Sequence, residues 1–82
     1  MNIESVIGKV IKSQRIRLEI NQEELAFRSH SERTYISMIE RGLSQPTVGK
    51  MFDISKALKI RPSDFIRMVE VEYDKALNEK DK

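Results

Sequence analysis

Ile3, Val6, Ile7, Val10 and Ile11 recur at i, i+3, i+4, i+7 and i+8, the spacing that lines one face of an α-helix. Leu18 and Ile20 carry that apolar face into a turn. Asn21-Gln22-Glu23-Glu24 reads as a capping box, in which the Asn21 side chain accepts from the Glu24 amide and Glu24 reaches back. A short second helix follows through Leu25 and Ala26 to about Ser29. A third begins near Ser31 or Glu32 and runs to Arg41, with Ile36 and Ile39 turned inward and Gly42 as its left-handed stop. Leu43 to Pro46 form a loop. Thr47 caps a fourth helix, whose Val48, Met51, Ile54 and Leu58 keep helical spacing while Gly49 weakens its first turn. Pro62-Ser63 breaks the chain again, and Ser63 caps a fifth helix to about Leu77. Residues 78–82 have nothing to bury and are expected to fray. No segment alternates as a strand does. The pattern predicts a compact all-α domain of five helices over residues 1–77.

The fifth helix carries more apolar surface than one face can sink into a small core. Phe65, Ile66 and Val69 are expected to pack inward. Met68 and Tyr73, together with Phe65, are assigned to the interface of an isologous two-fold dimer.

Composition narrows the function classes. With 82 residues the chain is one domain, and it buries only about 60–65% of its unfolded surface, so a dimer interface would add stability. The absence of Cys excludes a disulfide scaffold, a thiolate zinc site and a cysteine nucleophile. No apolar run approaches a membrane span and no signal peptide opens the chain, so a cytoplasmic protein with no membrane partner is expected. The overall charge of +2 hides an asymmetry. Residues 1–69 hold twelve basic and eight acidic side chains, and residues 70–82 hold three and five. An anionic partner therefore belongs on the first part of the chain.

The informative stretch is Asn21 to Gly42. Two short helices flank the tight connection Ser29-His30-Ser31, and Ala26 is small where they must approach. With Ile36 and Ile39 inward, Glu32, Arg33, Thr34, Tyr35, Ser37 and Met38 remain toward solvent, where they can reach a DNA major groove. The planar fork of Arg33 can pair bidentately with guanine, and Glu32 could accept from a cytosine amine. Gln22 opens the second helix, where its amide and the free backbone N–H groups suit a phosphate.

Gln22-Glu23-Glu24-Leu25-Ala26, followed by Arg33 to Gly42, closely resembles the phage-repressor-like (Cro/C1-type) helix-turn-helix family, over about Gly8 to Phe65. Arg33-Thr34-Tyr35-Ile36-Ser37 and the stretch Leu58 to Phe65 look most like the controller proteins of restriction–modification systems. The resemblance implies a lambda-repressor-like fold with the helix-turn-helix at about residues 21–41. It implies base reading by Arg33 and Thr34, and backbone or groove-wall contacts from Gln22, Tyr35, Ser37, Ser44 and Gln45. Arg15 and Glu40 match a partly buried ion pair joining the first and third helices. The partners implied are a pseudo-palindromic double-stranded operator and a second copy of the chain, with RNA polymerase carried as a further one. Control of the chain's own promoter and of an endonuclease gene is implied in the same way. Two positions depart from the pattern: His30 stands where Gly is usual, and Ser31 where an aliphatic residue is usual.

Blander readings exist for several residues. His30 has no Cys or second His to join it, so it is read as a turn residue, with no metal and no cofactor expected. Lys50 reads as a solvated charge ahead of a phosphate contact, and the Met side chains read as packing. Against the regulator stand a general phage- or host-type repressor, an antitoxin-like interaction module using the fifth helix, and an enzyme. The enzyme is disfavoured because no nucleophile–base pair or Gly-rich phosphate loop is present.

Overall fold

The computed structural model describes residues 2–80, the last by its backbone alone. Five helices follow one another: α1 (Ile3–Arg17), α2 (Gln22–Arg28), α3 (Arg33–Glu40), α4 (Val48–Ala57) and α5 (Pro62–Lys80). The described residues contain no strand. α1 packs against α3 and α5, α2 against α3 and α4, and α4 against α5. Ile11, Leu25, Ile36, Ile39, Ile54, Leu58 and Phe65 are wholly buried and form the centre of the core.

The helix starts follow the capping residues. Asn2 accepts from the Ser5 amide at 2.9 Å, Asn21 from the Glu24 amide at 2.8 Å, and Thr47 from the Lys50 amide at 3.1 Å. The return half of the expected capping box does not form, because the Glu24 carboxylate accepts from Arg28 Nε at 2.9 Å instead. Glu32, not Ser31, is the N-cap residue of α3, and its side chain makes no capping bond. Pro62 opens α5 at its first position, where a missing N–H costs nothing, so Ser63 lies inside the helix instead of capping it and the helix starts two residues earlier than expected. It also continues past Leu77 to Lys80; Asp81 and Lys82, the rest of the expected frayed tail, lie outside the described residues.

All four inner helix ends close in the same way. Glu19, His30, Gly42 and Lys59 adopt left-handed φ values of 58°, 57°, 74° and 61°. The next residue's amide returns to the carbonyl five positions back: Ile20 to Arg15, Ser31 to Ala26, Leu43 to Met38 and Ile60 to Ser55. These are Schellman closures, three of them built without glycine.

On α5 the spacing Phe65, Met68, Val69 and Tyr73 sets one inward face. Ile66 lies off that face and is 48% exposed, contrary to expectation. Phe65 is fully buried and offers no contact area to a partner, so its assignment to a dimer surface is corrected. Met68 and Tyr73 are half-buried against the same core, while Val71 and Leu77 face outward. Val48, at the first position of α4, is also exposed, since the helix turns its inward stripe only from Met51 onward.

Candidate nucleic-acid interface

Gly8 sets the approach of α1 to α3. A Cβ there would stand 2.7 Å from the Glu40 carbonyl oxygen and would also strike the Ile39 carbonyl, so only hydrogen fits between the two backbones. Two turns further along α1, Arg15 reaches the Glu40 side chain. Arg15 Nε donates to Oε2 at 2.7 Å and a second guanidinium nitrogen donates to Oε1 at 3.0 Å. The remaining guanidinium nitrogen donates to the Ile20 carbonyl at 3.0 Å. Gln22 Nε2 donates to Glu40 Oε1 at 3.1 Å. One carboxylate thus gathers α1, α2 and α3, with only 2% of its side chain exposed. The hydrogen bonds from Arg15 to Glu40 hold the guanidinium pKa above its ordinary value, outweighing the opposing effect of burial.

With α3 held by its C-terminal carboxylate, its first turn faces outward. Glu32, Arg33 and Thr34 are exposed, and Ile36 and Ile39 are buried on the opposite side. Arg33 and Gln22 line one open groove with Arg15, Asn21 and Glu23. Side chains from α2 and α3 therefore border the same opening. Gln22 is half-buried, and its bond to Glu40 is a role that local sequence did not reveal. Tyr35 is half-buried against the core, and burial pushes its hydroxyl pKa up, so it stays a neutral donor at neutral pH. Ser37 and Ser44 are half-buried and Gln45 is exposed in the loop beyond α3.

The turn between α2 and α3 holds a second arrangement. Ser29 is completely buried, with its hydroxyl donating to the Leu25 carbonyl at 2.8 Å. Lys50 comes in from α4, and its ammonium donates to the carbonyls of Ser29 (3.3 Å) and His30 (2.9 Å) and to Ser31 Oγ (2.8 Å). It also lies 5.8 Å from the centre of the Tyr35 ring. Lys50 is therefore not the solvated charge expected of it. Nothing local marks this, because its partners lie about twenty positions away.

Two short helices joined by a left-handed residue, with the second exposing its first turn beside Gln22, match a known pattern. The Helix-turn-helix family matches residues 11–65. The chain belongs to that family. The control protein C.BamHI of Bacillus amyloliquefaciens is 38% identical over 66 residues, covering 79% of this chain and 82% of that protein. The crystal structure of the wild-type restriction–modification controller protein C.Esp1396I superposes with a TM-score of 0.81 at 34% identity, covering 89% of this chain and 94% of that one. The C.Esp1396I tetramer in complex with its natural 35-base-pair operator gives a TM-score of 0.80 at 35% identity, covering 88% and 95%. The clp gene regulator ClgR of Corynebacterium glutamicum shares the fold, with a TM-score of 0.85 over 98% of this chain and 86% of that one, at 21% identity. This helix-turn-helix protein is thus a homologue of restriction–modification controller proteins, which are DNA-binding regulators. No described helix is long and apolar enough to cross a membrane.

Proposed function

We propose that the protein is a homodimeric, operator-reading transcriptional regulator of the controller type, working in the cytoplasm. The observation that carries this reading is the exposed first turn of α3, where Arg33 and Thr34 stand free beside Gln22 while Ile36 and Ile39 anchor the other face. Arg33 reads a guanine, and Thr34 an adjacent base edge. Tyr35, Ser37, Ser44, Gln45 and the free groups at the start of α2 hold phosphates or the groove wall. The reading is a binding one and not catalytic. The Glu40 carboxylate is taken up by Arg15 and Gln22.

A two-fold dimer through α5 would set two recognition helices about 34 Å apart, in successive major grooves. Ile66, Val71 and Leu77 supply exposed apolar area for it. Beside them, a groove of about 510 Å³ between α1 and α5 carries Lys9 and Arg67 together with Asp64 and Glu72. Both signs on one surface allow self-complementary pairing across a two-fold axis.

The test is a titration against the DNA upstream of the chain's own gene, with random duplex alongside, at two salt concentrations. Binding several orders tighter than to random DNA, with a symmetric footprint, is expected. Equal, weak, salt-sensitive binding to both would reject the reading. Arg33→Ala is expected to cost about 1–3 kcal/mol on the operator and to relax preference at one base pair. A uniform loss on all DNA would remove Arg33 as a base reader.

A further inference from the structure

Lys50 is the third residue of α4, yet its side chain serves a different part of the fold. An ammonium carries three N–H groups, and here three acceptors surround it: Ser29 O, His30 O and Ser31 Oγ. Ser29 is the C-cap of α2 and His30 the left-handed residue after it. A cation there meets carbonyls outside the helical ladder at the negative end of the helix, the Ser29 carbonyl also accepting from Ser31 Oγ at 3.3 Å. The neighbouring Tyr35 ring, 5.8 Å from Nζ, adds a cation–π contact.

One feature sets this turn apart from the other closures. His30 holds φ 57°, but Glu19 and Lys59 hold the same conformation, each followed by an isoleucine, Ile20 or Ile60. Ser31 occupies the position after His30, where an apolar contact frequently completes a Schellman closure. In this chain the closure is polar, and the group that completes it comes from α4.

We propose that Lys50 is a positioning residue of the DNA-reading unit: bound to the Ser29–Ser31 turn and set beside Tyr35, its ammonium fixes how α3 enters the groove. It thereby sets the preference for operator over other DNA without itself holding a phosphate. The inference rests on the operator-reading function proposed above. It differs from the ordinary role of a lysine near DNA, because a phosphate could recruit this ammonium only by taking it from the turn.

The experiment compares wild type, Lys50→Met, Ser31→Leu and the double variant on operator and random duplex across a salt series. Thermal melting and backbone amide exchange are followed on each free protein. Lys50→Met is expected to lower the operator-to-random ratio about tenfold, with the salt slope unchanged and faster exchange at Ser31 and the first turn of α3. The double variant, which exchanges a polar closure for an apolar one, is expected to regain most of the ratio and the melting temperature. A salt slope reduced by about one with the ratio intact would make Lys50 a phosphate contact and overturn the proposal. Unchanged ratio and exchange in Lys50→Met would overturn it as well, as would a double variant no better than Lys50→Met. If wild type itself shows no operator preference, the functional reading fails. Unchanged amide exchange in Lys50→Met would then still refute the clamp, and faster exchange would leave a structural clamp without a DNA-reading role.

Discussion

Glu40 sits almost out of water, and its side chain accepts three hydrogen bonds, two from Arg15 and one from Gln22. Removing one partner of such a group is far costlier than its net contribution suggests, since the carboxylate is left behind without its counter-charge. Arg15→Ala is expected to lose about 3–5 kcal/mol in chemical denaturation, a large share of a small domain's stability. Arg15→Ala combined with Glu40→Met should recover much of that loss, because no charge then remains buried. A second consequence concerns the left-handed helix ends. Glu19 and Lys59 hold φ near 60° with a Cβ present, at a cost of about 1–2 kcal/mol against glycine. Glycine gives back part of this through a more disordered unfolded chain. Glu19→Gly and Lys59→Gly are each expected to raise the melting temperature by about 3–6 °C, read by calorimetry. Both sites lie outside the α2–α3 turn, so operator affinity should not change.

Elements were legible where their signals were local. Asn21 and Thr47 cap the helices their spacing announced, and Ile36 and Ile39 face inward as the third helix requires. The five-helix order followed from such signals alone. What stayed hidden was set by distant partners: Gln22 bonds across eighteen positions to Glu40, and Lys50 across about twenty to the α2–α3 turn. Periodicity also misplaced Ile66, because Phe65 and Val69 fix the inward face of α5 and leave Ile66 outside it. The backbone contact at Gly8 belongs to the same group, for no pattern in the sequence marks where two helices touch without side chains. Gly8→Ala would press a methyl group onto two carbonyl oxygens of α3 that cannot rotate away. It is expected to cost about 2 kcal/mol or more in denaturant unfolding. Gly49→Ala would bring its methyl group only into ordinary contact with Thr47 Oγ1 at 3.9 Å, and should stabilise α4 by about 0.5–1 kcal/mol in the same measurement.

For the whole molecule, the division of surfaces matters most. The first turn of α3 is turned to solvent, and α5 exposes apolar side chains of its own, Val71 beside the groove against α1 and Ile66 and Leu77 on the other flank. Val71→Glu places a charge at the exposed edge of that groove without replacing the buried Phe65 and Val69. Sedimentation is expected to show monomers with unchanged helicity, and operator affinity should fall steeply as the second half-site is lost. A dimer that persists would move the interface off α5. The frame also separates what must stay from what can vary. Glu40, at one end of α3, is tied to two other helices, whereas Arg33 and Thr34, at the other end, make no side-chain hydrogen bond among the described residues. Their identities can drift without taxing the fold. Under the operator-reading function proposed above, a lineage built on this scaffold would acquire a new operator through one or two substitutions at those positions, while the buried carboxylate keeps the helix in place throughout the change.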